Sequence, residues 1–285
     1  MPYQTILVHI DDSAHNGERL ACAAALAQRH GAHLIVVAAS GVSRALFSSM
    51  PPEADDPTLA LHLGFVRAQA SAALAGFEQQ CLALPLPSFE ARLIDDEAGA
   101  GISLHGRAAD LIVLSHTHDD AARADIAPHV VLHAGRPVLL LPHAAHASLA
   151  GAQLGRRVLV SWDGSREAAL ALRLALPFLK TAEQIEIAVF ATSDEVAIEA
   201  RAADPLAYLA RHGISAHTTL QSEAQLRTRQ RRIDVGEALL SLAADKGADL
   251  LVMGAYGHSR VRETLLGGVT RTMFESMTIP VLMAH

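Results

Sequence analysis

The sequence predicts an α/β protein of two tandem domains, each a parallel β-sheet with helices on both faces, and three observations predict it. Short, nearly continuous apolar runs alternate with alanine-rich helical stretches, the pattern of strands buried on both faces and joined by helical crossovers. Four sequence anchors occur twice in the same order. A glycine-rich segment follows the apolar run 249–253, where an open α/β sheet empties into a ligand-binding loop.

Each element follows from this repeat. Ile6-Leu-Val-His-Ile-Asp11-Asp-Ser13 aligns with Val158-Leu-Val-Ser-Trp-Asp163-Gly-Ser165: an apolar strand, an aspartate, and a serine two residues on. Each copy precedes a helix, 17–30 and 166–179, whose start the aspartate and serine can cap. Ala108-Ala-Asp110-Leu-Ile-Val-Leu114 matches Gly247-Ala-Asp249-Leu-Leu-Val-Met253, and Arg136-Pro137-Val-Leu-Leu140 matches Ile279-Pro280-Val-Leu-Met283. The first half therefore has strands near 4–10, 33–39, 88–94, 110–115 and 137–141. The second has strands near 156–162, 185–191, 214–220, 249–254 and 280–284, with helices near 166–179, 195–212, 234–246 and 268–277. Domains are expected over 1–146 and 156–285, with 147–155 as a linker rich in small residues. The crossovers are expected to be right-handed.

Composition narrows the function. With 285 residues, 51% of them hydrophobic and 19% charged, the chain can bury a large core in each domain. A net charge of -7 and an aromatic content of 4% argue against nucleic acid as a partner, because basic surfaces and stacking platforms are both lacking. The basic cluster Arg227, Arg229, Arg231 and Arg232 is either a solvated loop or an anion or partner contact. Cys22 and Cys81 sit in helical patterns as buried thiols of a reducing compartment. No apolar run approaches the ~20 residues that span a bilayer, so no membrane association and a cytoplasmic location are expected.

The chemistry-bearing motif is Gly254-Ala-Tyr-Gly257, nine residues, then Gly267-Gly268-Val269-Thr270. Gly254 and Gly257 let the backbone turn sharply and approach an anion with no Cβ in the way. Gly267 and Gly268 open the last helix, whose first amides lack partners within the helix and can face phosphate oxygens. Thr270 adds a hydroxyl in that turn. Glycine spacing alone is equally compatible with a structural turn. The first half departs from it: Asp249 to Pro280 is 31 positions but Asp110 to Pro137 only 27, with Ser115 and His118 where Gly254 and Gly257 stand. The first half is not expected to hold a nucleotide in the same way.

On these residues the chain resembles the universal stress protein family in its tandem form. The family's ATP-binding pattern G-x2-G-x9-G-[S/T] appears as Gly254, Gly257 and Gly267, with Gly268 replacing the final Ser or Thr. The resemblance implies a strand order of 3-2-1-4-5 and an adenine nucleotide, ATP with or without magnesium, at the carboxyl ends of strands 1 and 4. It places Asp163 near the ribose and adenine, Val189 or a neighbour on the adenine through the backbone, and Met253 beside base and sugar. The loop 254–257 with Gly267, Gly268, Val269 and Thr270 takes the phosphates, and Tyr256 either contacts a phosphate or covers the loop. Bland roles stand beside these: Asp163 and Ser165 as helix caps, Met253 as core, Trp162 as pocket flank or interlayer filler, and Thr270 as a first-turn cap. The resemblance further implies pairing of the two last strands, here within one chain as a pseudo-dimer, with a homodimer of chains as an extension.

Of the 16 histidines, 12 lie in the first half, and His129 and His133 stand one helical turn apart near His116 and His118. Metal binding there is geometrically conceivable, but the spacing equally describes a packed or solvated face, and no metal ligand is assigned. No catalytic residue is assigned either. The lysine-bearing phosphate loop and the GxSxG elbow are both missing, and His258 and Asp163 have no evident partner for activating water. Three functions remain: a nucleotide-dependent signalling or protective module acting through the second domain, a nucleotide-independent scaffold for an unknown protein partner, and a slow ATPase.

Overall fold

The structure, a computed structural model, describes residues 2–285 apart from 12, 14–15, 42–56, 116–124, 143–153, 192–194, 223–233 and 258–267. The first half runs β1 (Thr5–Ile10), α1 (Asn16–His30), β2 (His33–Ala39), α2 (Pro57–Leu82), β3 (Ser88–Ile94), α3 (Ala98–Gly106), β4 (Leu111–Ser115), α4 (Ile126–His133) and β5 (Val138–Leu141). The second runs β6 (Arg157–Trp162), α5 (Arg166–Leu174), α6 (Leu176–Leu179), β7 (Gln184–Ala191), α7 (Glu195–Arg211), β8 (His217–Ser222), α8 (Val235–Asp245), β9 (Leu250–Gly254), α9 (Gly268–Ser276) and β10 (Val281–Ala284). Most of the expected linker lies outside the described residues.

Each half is an α/β fold with strand order 3-2-1-4-5, as the family resemblance implied. Parallel ladders set Ile6 opposite Leu34 and Leu111, and Val158 opposite Ile185 and Leu250. The apolar runs identified in the sequence are these strands, and Ile6, Leu7, Val8, Leu159, Leu250 and Leu251 are fully or almost fully buried. The sheet is mixed rather than wholly parallel. β5 pairs antiparallel with β10, with Leu139 opposite Leu282, and groups with residues 154–285 in one compact unit, while residues 2–136 form the other. Both strands are four buried apolar residues, whose edges would otherwise be open templates for aggregation.

The Ala-Asp anchors have a structural explanation. Asp110 accepts the N–H groups of Gln4 at 2.8 Å and Thr5 at 3.1 Å, where β1 begins. Asp249 accepts those of Gly155 at 2.8 Å, Arg156 at 3.1 Å and Arg157 at 3.1 Å, where β6 begins. In both copies an aspartate entering the fourth strand fastens the start of the first.

One expected helix is two. The pattern 166–179 breaks at Ala175, and α6 starts afresh with Pro177 in its first turn. Pro177 has no N–H for the carbonyl four residues back and its ring crowds that carbonyl, which weakens the ladder at this point. The restart lets Phe178 and Leu179 be buried. Among the described residues no helix is long and apolar enough to cross a membrane.

Candidate functional site

The site is built where β6 and β9 end. Asp163 Oδ1 accepts the Ser165 N–H at 2.8 Å, and Ser165 Oγ accepts the Ala168 N–H at 3.1 Å. This turn starts α5 as a capped helix and leaves the exposed Asp163 at the mouth of a cleft. β9 then passes beneath the first turn of α5. A Cβ on Gly254 would lie 2.5 Å from the Ala168 nitrogen and 2.6 Å from the Glu167 carbonyl carbon, so only glycine fits there. Gly254 is thus required by helix-on-strand packing, a role its place in the glycine motif does not reveal.

The loop turns at a residue that glycine spacing did not single out. Neither Gly254 nor Gly257 has a positive φ; Tyr256 does, at 61°. A left-handed tyrosine is unfavourable by about 1–2 kcal/mol, and its surroundings hold it there. Its N–H donates to Thr270 Oγ1 at 3.3 Å, and its ring meets His285 edge-on with centroids 5.9 Å apart. His285 in turn donates through Nδ1 to the Ala255 carbonyl at 3.0 Å. Thr270, 4% exposed, therefore ties the α9 start to the loop. The Tyr256 hydroxyl is buried with no hydrogen-bond partner among the described residues, and burial pushes its pKa up to about 12.

A prediction follows for this hydroxyl. Tyr256→Phe in the nucleotide-free protein is expected to leave stability unchanged or raise it by up to about 1 kcal/mol, because removing an unpaired buried donor removes its desolvation penalty. Urea unfolding checks this, and a loss above about 1 kcal/mol would reveal a partner for the hydroxyl.

These elements enclose a cavity of about 320 Å3. Of the residues expected at a nucleotide site, Asp163, Met253, Gly254, Tyr256, Gly257, Gly268, Val269 and Thr270 all line it. Gly267 and His258 lie outside the described residues. Val189 does not line the cavity: it is 1% exposed, and its neighbour Phe190 lines the cavity instead. Trp162 flanks the cavity as well. Sequence reasoning missed Ser161, Ala168 and Val235 and left Phe190 as an unnamed neighbour of Val189. Strand alternation beside Val189 points to Phe190, and the rule that helices start at the carboxyl ends of strands points to Val235. It also missed Glu167. This side chain, 8% exposed, sets Oε2 3.1 Å from where a Gly257 Cβ would be.

The corresponding place in the first half is wired differently. Asp11 again accepts the N–H two residues on, from Ser13 at 3.0 Å. Its carboxylate is then engaged by the buried Arg19 at 2.8 Å, and Asn16 bonds to the Asp11 backbone and to Arg19. Burial acts to raise the Asp11 pKa, yet Arg19, with His9 and Ser13, holds it well below the usual carboxylate range. In the second half the positions matching Asn16 and Arg19 are Ala168 and Ala171. His116, His118, His143 and His146 lie outside the described residues. His129 and His133 stack on each other with centroids 4.2 Å apart, and burial followed by the His133 charge lowers the His129 pKa. Among the described residues no group of three or more His, Cys, Asp or Glu is arranged to hold a metal ion.

Comparison with known proteins agrees with this architecture. The universal stress protein of Archaeoglobus fulgidus DSM 4304 superposes with a TM-score of 0.71 at 16% identity, covering 98% of this chain and 97% of that one. A functionally unknown protein of Pseudomonas aeruginosa PAO1 superposes with a TM-score of 0.63 at 16% identity, over 99% of this chain and 92% of that one. At such identities the likeness is one of fold. In sequence, 46 residues are 44% identical to universal stress protein Slr1230 of Synechocystis, a stretch spanning 16% of this chain and 16% of that protein. Residues 2–142 and 155–285 each match the universal stress protein family. With both halves matched and the fold shared, the chain belongs to the universal stress protein family and carries two of its domains in tandem.

Proposed function

We infer that the second half binds an adenine nucleotide, ATP, and that the protein acts as a nucleotide-dependent signalling or protective module in stress. The observation that carries this reading is the cavity at the ends of β6 and β9, where eight residues expected from the binding motif converge. Its apolar walls, Trp162, Phe190 and Met253, suit a purine and ribose, with Asp163 within reach of sugar hydroxyls. Its far side, Gly257 and the first turn of α9, offers amides without intrahelical acceptors and the positive end of a helix dipole to phosphates. The buried Glu167 carboxylate beside Gly257 opposes a bare triphosphate, so a magnesium ion accompanying the nucleotide offsets that repulsion.

In this reading residues 1–146 and 156–285 are the domains and 147–155 the linker. The Asp11–Arg19 pair leaves the first half without the aspartate contact that the second half offers. The chain's own residues bind and orient the nucleotide, and the module works by shifting a surface that a protein partner reads.

Calorimetric titration of ATP with magnesium tests the reading. Binding at one site per chain is expected, with affinity lowered about tenfold or more in Gly257→Val, whose side chain enters the cleft. No binding by the wild type, and no nucleotide carried through purification, would favour the nucleotide-independent scaffold instead.

A further inference from the structure

The first half has its own cavity, of about 270 Å3, at the carboxyl ends of β1 and β2 beneath α2. Its volume lies near the lower end of the ~300–1,000 Å3 of small-molecule sites. It occupies the place that Ser161, Trp162 and Phe190 occupy in the second half, since Ile10 stands opposite Ala38 as Trp162 stands opposite Val189. The chemistry is not the same. The walls are mostly aliphatic, with Ile10, Ala38, Ala70, Ala73 and Ile126 among them, and the phosphate side lacks the glycines.

Two further observations define what such a space would accept. Among the described residues the lining holds no lysine or arginine; its polar groups are Gln69, Ser40, the buried His9, and Asp11, whose carboxylate is engaged by Arg19 behind the wall. An entering anion therefore faces a carboxylate and, among the described residues, meets no lysine or arginine. Second, Ser40 lines the cavity, is only 9% exposed, and its hydroxyl has no hydrogen-bond partner among the described residues. An unpaired buried hydroxyl costs about 1–3 kcal/mol, and a ligand that pairs it recovers that energy.

We propose that the first-half cavity is a binding site for a small, uncharged, largely apolar molecule carrying one hydrogen-bonding group, which Ser40 engages. Aliphatic walls supply affinity through buried area, and Ser40 fixes orientation. Loss of the glycine loop then marks a change of ligand class rather than loss of a ligand. The site is independent of nucleotide in the second half.

Two probes that differ by one charge test this in the full-length protein. N-phenyl-1-naphthylamine is neutral and has a single N–H; 1-anilinonaphthalene-8-sulfonate is the same scaffold with a sulfonate. Fluorescence titration is expected to show one site per chain for the neutral probe, and at least about tenfold weaker binding of the anion. Ser40→Ala is expected to weaken the neutral probe about two- to tenfold, the worth of one hydrogen bond. Ala73→Trp fills the cavity and is expected to abolish binding. Ala70→Leu, a smaller change on the half-buried face of α2, serves if the tryptophan variant does not fold, and is expected to weaken binding. Equal binding of both probes, binding untouched by the α2 variants, or no binding by the wild type would each overturn the proposal.

Discussion

Gly254→Val is expected to lower stability by about 3 kcal/mol, the upper end of the usual cost of overpacking. The reason is contact with backbone. A Cβ at this position already meets the Ala168 nitrogen at 2.5 Å and the Glu167 carbonyl carbon at 2.6 Å, so the first turn of α5 must lift off β9. Gly257→Ala is the control. Its nearest neighbours are side-chain atoms, Glu167 Oε2 at 3.1 Å and Ser165 Oγ at 3.3 Å, which need to give by only a few tenths of an ångström. The single tryptophan, Trp162, ends the neighbouring strand β6 and reports unfolding of the second half by fluorescence in urea. A Gly254→Val midpoint equal to the wild type would show that α5 adapts freely, and the packing account of this glycine would fail.

The second large effect is expected at Asp249. Truncation to alanine leaves the N–H groups of Gly155, Arg156 and Arg157 without their acceptor at the start of β6. Hydrogen bonds to a charged acceptor contribute about 1.5–3 kcal/mol each, less where water replaces them. The site is only partly buried, so the expected loss is about 2–3 kcal/mol for the set. Asp110→Ala removes two such bonds, to Gln4 and Thr5, and is expected to cost less. Both follow from urea midpoints. Losses of equal size in the two halves would mean that the third bond contributes nothing, and an Asp249→Ala loss under about 0.5 kcal/mol would remove the anchoring role.

Much of the fold was legible because its signals are local and repeated. Buried strands write themselves as apolar runs, and the duplication supplied two independent readings of each boundary. The break at Ala175 was missed because a helical pattern averages over many residues, whereas Pro177 acts on a single hydrogen bond. The pairing of β5 with β10 was implied only through family likeness, and its antiparallel sense was not foreseen, since the two strands carry no mark of direction in their four residues. Within the site, residues in the glycine motif were found because they are contiguous in sequence. Phe190 and Val235 come from other strands and helices and carry no motif.

The sequence by itself determined the two-domain α/β architecture, the repeat, and the place where a glycine motif follows β9, because hydrophobic period and glycine spacing are properties of a short window. Only the tertiary structure decided what each motif residue does. Gly254 is held by the α5 backbone, and Tyr256 takes the left-handed turn against His285 and Thr270. Asp11 is engaged by Arg19, eight residues away. Those outcomes depend on which surfaces meet in space, and close contact between elements distant in the chain leaves no periodic trace in it.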